Sequence, residues 1–192
     1  MKDIIRPALA LFTITAALTL ILAVTNFLTV DVIAEARERT RLAAMSYVLP
    51  GATAFSSDAD IGNTTGIISY AVGFAGDTPV GVVMQMSVTA WSPNLVFLVG
   101  VGLDGAVTGL YVISHTETPG LGSRITNETY RHQFIGTTGN IRVLTRGMAG
   151  ENEVMAITGA TFTMQVVADG VNDALDFAGS VVLPNIHQYL PQ

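Results

Sequence analysis

The sequence predicts an α+β protein in which one N-terminal transmembrane helix precedes a domain of antiparallel strands with flanking helices. Three observations support this class. Residues 7–30 carry no charge and are rich in Leu, Ile, Ala, Val and Thr. Short runs rich in Val, Ile, Tyr and Phe, separated by turn residues, fill the middle of the chain. Near the C-terminus, apolar residues recur at the three-and-four spacing of an amphipathic helix.

The uncharged run 7–30 is long enough to cross a membrane. As a helix it spans roughly 36 Å, compared with a hydrocarbon core of about 30 Å. This is longer than the core of a signal peptide, so we expect an uncleaved, single-pass anchor over 1–31 in the lipid bilayer of the cell inner membrane. Lys2 and Arg6 favour a cytoplasmic N-terminus and an extracytoplasmic, periplasmic domain, although three arginines also follow the helix.

Helical spacing continues after the anchor, and we expect a juxtamembrane helix over 32–50 that ends at Pro50-Gly51. The domain, 51–192, opens with a polar loop over 56–65. Four strands are then predicted as an antiparallel meander, with a hairpin turn at Asp104-Gly105: 67–74, 80–89, 95–101 and 107–114. The predicted elements that complete the domain are a short helix over 127–135, strands over 141–144 and 154–157, and a helix over 161–177 stopped by Gly179.

Composition narrows the classes of function. The chain has no cysteine, which excludes disulfides, iron–sulfur ligation and thiol catalysis. From Asp31 onward it carries seven basic and fourteen acidic side chains, without a basic stripe, so we expect no nucleic-acid binding. The histidines have no partners at metal-ligand spacing, and no metal site is predicted.

Two short stretches carry the candidate chemistry. Thr158-Gly159-Ala160-Thr161 precedes the last helix, with Thr158 or Thr161 as the expected N-cap. Unpaired N–H groups and the helix dipole favour an anion there, unless the threonines serve only as caps. In the second stretch, Pro119-Gly120 is a turn, and two glycines flank Leu121, which suits the approach of a flat apolar ring. The alternative is an ordinary strand-to-helix loop.

Taken together, His115-Thr116-Glu117-Thr118-Pro119-Gly120-Leu121-Gly122 and Thr158-Gly159-Ala160-Thr161 resemble the FMN-binding subunits RnfG and NqrC of the Rnf and Na⁺-NQR respiratory complexes. The N-terminal anchor followed by one domain is similar to this family as a whole, and the compact length resembles RnfG more than NqrC. The resemblance implies a flavoprotein whose FMN is joined through a phosphoester to Thr161 by a flavin transferase. It implies a cofactor site formed by Thr158, Gly159, Ala160, Thr161, Thr163, Glu117, Thr118, Gly120, Leu121 and Gly122.

The same resemblance implies an electron-transfer subunit of a membrane-bound, Rnf-type ion-translocating oxidoreductase complex. It also implies that the chain is part of a translocase and works with other subunits. The sequence offers no substrate-specific acid/base pair, which fits a relay better than a self-sufficient enzyme. Flavin suits such a relay, since the ring accepts one or two electrons while the protein supplies placement and electrostatics.

One position departs from the family pattern. An Asp usually stands three residues before the first Thr or Ser of the attachment motif, and Met155 stands there in this chain. The departure leaves open a membrane-anchored binding, assembly or sensory module of the same fold without covalent flavin. The NqrC subunit of a Na⁺-NQR complex is a further alternative.

Other side chains have weaker signals. His115 is as readily a structural residue, bonded within its loop, as a cofactor contact. Arg124, Arg142 and Arg146 are candidate partners of a phosphate, although most surface arginines have no such role. Trp91 is expected to be a core or interface side chain rather than a flavin contact.

Overall fold

The computed structural model describes residues 2–60, 66–91 and 94–189. The chain divides into two compact units, Met1–Leu42 and Ala43–Gln192. The segments expected as anchor and juxtamembrane helix form one continuous helix, α1, at Lys2–Val48. The second unit begins at Ala43, ahead of the expected domain start, so the last turn of α1 belongs to the domain.

The part of α1 in the first unit is suited to lipid. Every side chain from Ile5 to Leu28 is exposed, and the helix has an apolar window of mean hydropathy 2.3. Thr13 donates its hydroxyl to the Leu9 carbonyl at 2.7 Å, and Thr15, Thr25 and Thr29 bond back in the same way. Such bonds satisfy hydroxyl groups that hydrocarbon cannot solvate. The apolar part of α1 is therefore long and apolar enough to cross a membrane.

The centre of the second unit is a six-stranded antiparallel sheet. Its strands are β1 (Ala54–Phe55), β2 (Ala59–Asp60), β3 (Ile67–Ala75), β4 (Thr78–Val88), β5 (Leu95–Gly102) and β6 (Val107–Ser114). The order is β1-β3-β4-β5-β6, with β2 also paired to β3, and all pairs are antiparallel. This confirms the predicted meander. Part of the segment expected as a polar loop is the short strand β2, and residues 61–65 of that segment lie outside the described residues.

The β5–β6 hairpin turns at the predicted residues. The Asp104 carboxylate accepts a hydrogen bond from the Ala106 N–H at 3.1 Å, and Gly105 has φ +78°. Asp at the start of a turn and Gly in the left-handed conformation are the residues this geometry favours. The hairpin prediction is therefore confirmed.

Short elements connect the sheet to the last helix. They are a 3₁₀ turn at Gly122–Thr126, α2 at Glu128–Arg131, a 3₁₀ turn at His132–Phe134, and the parallel strands β7 (Arg142–Leu144) and β8 (Glu153–Met155). Helix α3 covers Thr161–Phe177, as predicted. The predicted stop at Gly179 is wrong. Gly179 does not take the left-handed conformation that ends helices, and the chain continues through a π-helical turn at Ala178–Val182 into a 3₁₀ turn at Leu183–Tyr189.

Helix α3 covers one face of the sheet. Met164, Val167 and Val171 of α3 belong to the same buried cluster as Phe97 and Leu110 of the sheet. The helix lies close to the sheet, because a Cβ on Gly170 would stand 3.0 Å from the ring of Phe97. This packing holds the start of α3, which carries the attachment motif, in a fixed place.

The end of α1 covers the opposite face. Met45, Val48 and Leu49 form a second buried cluster with Ala71, Val83 and Leu98 of the sheet. Val48 lies directly on the backbone of Gly109, and its carbonyl accepts a hydrogen bond from the Thr108 hydroxyl at 2.6 Å. The sheet is thus buried on both sides, and the last turn of α1 is an integral part of the domain.

Candidate functional site

A tight turn sets the start of α3. The Ala160 N–H donates to the Ile157 carbonyl at 2.8 Å, and Gly159 between them has φ +81°. Ala160 is the N-cap and makes no side-chain capping bond. The prediction that Thr158 or Thr161 caps the helix is therefore wrong, because the turn at Gly159 places Thr158 before the cap position and Thr161 after it.

The two threonine hydroxyls are left available by this arrangement. Thr158 and Thr161 are both exposed. Across the part of the chain that the structure describes, neither hydroxyl makes a side-chain hydrogen bond to protein. Because Ala160 makes no side-chain capping bond, the N–H groups of the first turn of α3 also lack a side-chain acceptor among the described residues. The start of α3 therefore offers a free hydroxyl beside unpaired donors, which suits a phosphoester and its negative charge.

The second stretch forms a compact loop between β6 and the first 3₁₀ turn. The Thr118 carbonyl accepts hydrogen bonds from the N–H groups of Leu121, at 3.2 Å, and Ser123, at 3.4 Å. Gly120 has φ +77°, and its N–H donates to the Ser123 hydroxyl at 2.9 Å. Thr118, Gly120 and Leu121 are exposed on this loop. The Pro119-Gly120 turn thus presents Leu121 at the surface.

The fold brings the two stretches together, although 46 positions separate Glu117 from Thr163. The Thr163 hydroxyl donates to Glu117 Oε2 at 2.8 Å, and both side chains are buried, at 0% and 5% exposure. Leu121 lies over the turn at Gly159, where a Cβ would stand 3.0 Å from Leu121 Cδ2. Of the candidate cofactor residues, Glu117 and Thr163 thus point inward, while Thr158, Thr161 and Leu121 lie at the surface.

An aromatic pair lies beside the start of α3. The rings of Trp91 and Phe162 are 5.4 Å apart in an edge-to-face arrangement, and their side chains are 76% and 48% exposed. Trp91 is thus not a core side chain, and that part of its prediction is wrong. The residue lies three positions after Val88, the last residue of β4. Phe162 directly follows Thr161, so exposed apolar surface adjoins the candidate attachment residue.

The remaining candidates are dispersed. The Nδ1 atom of His115 is buried and has no hydrogen-bond partner within the described part of the chain. The guanidinium of Arg124 lies 5.4 Å from the ring centre of Tyr130, and that of Arg142 pairs with Glu153 at 2.9 Å. Arg146 is exposed.

Met155, the position that departs from the family pattern, is half-buried in β8. Its N–H donates to Gln133 Oε1 at 2.6 Å. The side chain at this position therefore belongs to the strand that leads into the motif, not to the motif turn itself.

A polar cleft lies away from these groups. It has a volume of about 480 Å³ and is lined by Asn140, Ile141, Arg142, Glu151, Asn152 and Asn172. None of these is a motif residue. No group of three or more His, Cys, Asp or Glu side chains suited to a metal occurs in the described residues. The free hydroxyl, the uncapped helix start and the apolar side chains near it make the motif region the better candidate site.

Comparison with known proteins gives consistent matches. Residues 91–176 match the FMN-binding domain, and residues 1–48 match the RnfG N-terminal region. The chain is 30% identical, over 89% of both chains, to the G subunit of the Na(+)-translocating ferredoxin:NAD(+) oxidoreductase complex of Acetobacterium woodii. It is 29% identical, over 93% of this chain and 96% of the relative, to the G subunit of the ion-translocating oxidoreductase complex of Methanosarcina acetivorans. A solved structure of the C subunit of the Na(+)-translocating NADH-quinone reductase from Parabacteroides distasonis is similar with a TM-score of 0.48 and 23% identity, over 62% of this chain and 64% of that chain.

Proposed function

The chain belongs to the RnfG family of FMN-binding proteins, and we propose that Thr161 is the residue through which its FMN is covalently held. The protein is an electron-transfer subunit of an ion-translocating oxidoreductase complex, so other subunits of that complex are its partners. One observation carries the proposal for Thr161: its hydroxyl is exposed and unbonded at the first position of α3, beside an uncapped helix terminus.

The competing hydroxyls are less suited to attachment. Thr163 is fully buried and donates to Glu117, so an attaching enzyme has no access to its oxygen. Thr158 is exposed but lies before the turn at Gly159, further from the first-turn N–H groups. A phosphodiester on Thr161 keeps one negative charge near those donors, which contributes about 0.3–1 kcal/mol through the helix dipole.

The residues around Thr161 have distinct tasks in this proposal. Gly159 is exposed and places no side chain over the turn before α3, while Ala160 packs into the core. Leu121, Phe162 and Trp91 supply exposed apolar surface against which an aromatic ring is shielded from water. When bound, FMN supplies one- and two-electron redox chemistry that no side chain of this chain offers.

The long apolar helix α1 and relatives that belong to ion-translocating complexes support attachment to a membrane. We further propose that the N-terminus is cytoplasmic and that the FMN domain faces the extracytoplasmic, periplasmic side. Lys2 and Arg6 before the apolar run support this orientation. Covalent attachment by a flavin transferase would then prevent loss of the cofactor outside the cell.

The test is flavin fluorescence on a denaturing gel, combined with intact mass, for the full chain made together with its flavin transferase. Wild type and Thr161→Ser are expected to carry one covalent FMN, because both have a hydroxyl at this position. Thr161→Ala is expected to lose the signal, whereas the matched change Thr158→Ala keeps most of it. Full signal in Thr161→Ala would assign the linkage elsewhere. A wild type that never carries covalent flavin would favour the non-covalent module suggested by Met155.

A further inference from the structure

The contact between Glu117 and Thr163 joins the two parts of the candidate site. Glu117 lies in the loop that carries Leu121, and Thr163 lies in the first turn of α3, two residues after Thr161. Their hydrogen bond of 2.8 Å is buried, with exposures of 5% and 0%. Because water does not reach this bond, the carboxylate depends on protein donors, of which the Thr163 hydroxyl is one.

Two further close approaches occur at this junction, by which we mean the contact between residues 117–122 and the start of α3. A Cβ on Gly122 would collide with the Glu117 carboxylate, so only glycine lets the loop backbone pass this close. On the outer side, Leu121 Cδ2 would stand 3.0 Å from a Cβ on Gly159. Glycine at these two positions therefore allows the loop to approach the start of α3 closely.

We propose that Glu117 and Thr163 are positioning residues that fix the Leu121 loop against the start of α3, rather than residues that touch the flavin. Both side chains point away from the surface where Thr161, Leu121 and Phe162 are exposed. The bond sets where Leu121 stands relative to the residue that carries the phosphoester. This inference rests on the proposed function for its effect on FMN, while the junction itself is a property of the chain alone.

In this proposal, covalent attachment of FMN depends on Thr161, and the position of Leu121 beside the ring depends on Glu117 and Thr163. Removing the Thr163 hydroxyl leaves the buried Glu117 carboxylate short of a donor, and the loop relaxes to recover one from water. Thr161 stays exposed, so covalent attachment is retained. The ring then has a less ordered apolar neighbour, which changes its optical activity and its reduction potential.

The experiment is hydrogen exchange of the full chain in detergent micelles, with and without covalent FMN, for wild type, Thr163→Val and Thr163→Ser. Valine has nearly the shape of threonine without the hydroxyl, and serine keeps the hydroxyl. We expect amide exchange in residues 117–123 to rise about tenfold or more in Thr163→Val. In Thr163→Ser it is expected to stay within about threefold of wild type, since only a methyl group is lost.

The flavin-loaded proteins supply the second measurement. Thr163→Val is expected to keep its fluorescence on a denaturing gel but to change the visible circular dichroism and the midpoint potential of the flavin, while Thr163→Ser changes neither. Loop exchange equal to wild type in Thr163→Val, or an unchanged flavin signature, would overturn the proposal.

If Thr163→Val does not fold, Glu117→Gln tests the positioning role instead. Glutamine still accepts a bond from Thr163 but loses one carboxylate oxygen, and a rise in loop exchange smaller than tenfold is expected; no rise overturns the proposal. A wild type without covalent flavin would refute only the proposed attachment at Thr161. The role of the Glu117–Thr163 bond would still be tested, because amide exchange is also measured in the flavin-free chain.

Discussion

Replacing Gly159 with alanine tests whether the turn before α3 requires a left-handed residue. Gly159 has φ +81°, a conformation that costs an L-residue roughly 1–2 kcal/mol. Alanine also reduces the freedom of the unfolded chain, which offsets about 0.4–1 kcal/mol of that cost. The new Cβ would stand 3.0 Å from Leu121 Cδ2, but Leu121 is 44% exposed and can swing away. We therefore expect a net destabilisation of about 1 kcal/mol.

Two other glycines separate the cost of the left-handed backbone from the cost of the contact with Leu121. Gly120 has φ +77°, and no atom lies within 4 Å of the position that an added Cβ would take, so Gly120→Ala carries the conformational cost without the contact. Gly179 has neither a left-handed φ nor a close neighbour, so Gly179→Ala carries neither cost. It should leave stability unchanged or raise it slightly, because alanine is the better helix former.

The assay is thermal unfolding of the full chain in detergent micelles, followed by near-ultraviolet circular dichroism. For a domain of this size, about 1 kcal/mol lowers Tm by about 2–4 °C. The Tm values of Gly159→Ala and Gly120→Ala should lie below that of Gly179→Ala by similar amounts. A Gly159→Ala protein as stable as Gly179→Ala would refute the reasoning from φ. The Tm of Gly159→Ala could instead fall far more than that of Gly120→Ala. If adding Leu121→Ala then reverses this fall, the contact with Leu121 dominates and not the backbone conformation.

Two further changes test the packing around the sheet. Gly109→Ala should destabilise the domain by about 1–3 kcal/mol, because its Cβ would stand 2.7 Å from Val48 Cα, a backbone atom that cannot rotate away. Thermal unfolding measures this change, and a Tm equal to that of wild type would contradict the close packing of α1. Tyr70→Phe removes the 2.7 Å bond between the Tyr70 and Tyr189 hydroxyls and should cost about 1 kcal/mol near neutral pH. Burial, and then the bond to Tyr189, raise the pKa of Tyr70 from 10.0 to about 12. The raised pKa favours the protonated phenol in the folded state, so its stabilisation is complete below pH 10 and is lost as pH rises toward 12; the difference between wild type and Tyr70→Phe should shrink over that window, and a constant difference would contradict the assignment.

The sequence was sufficient where local pattern determines structure. The strands β3 to β6 and helix α3 lie where the runs of β-branched and aromatic residues and the helical spacing predict them, because both signals are local properties of the sequence. The turn at Asp104-Gly105 is likewise a local property of two residues. The family follows from two short motifs for the same reason.

Features that depend on distant contacts were not predictable in this way. The Glu117–Thr163 bond joins residues 46 positions apart, and no spacing rule relates a loop carboxylate to a helix hydroxyl. The exposure of Trp91 is a further example, because the neighbour of its ring, Phe162, is distant in the sequence. The N-cap was misplaced because threonine is favoured there in general, while the Gly159 turn put Ala160 at that position instead.

The geometry of a helix start explains how one short motif meets three requirements. Successive residues of a helix point about 100° apart, so three consecutive side chains face three directions. At the start of α3 these are Thr161 toward solvent, Phe162 toward Trp91, and Thr163 into the core against Glu117. In a strand, Thr161 and Thr163 would share one face, and two similar hydroxyls would compete for the same role. The helix separates them, so that one threonine is available for attachment while the other holds the loop in place.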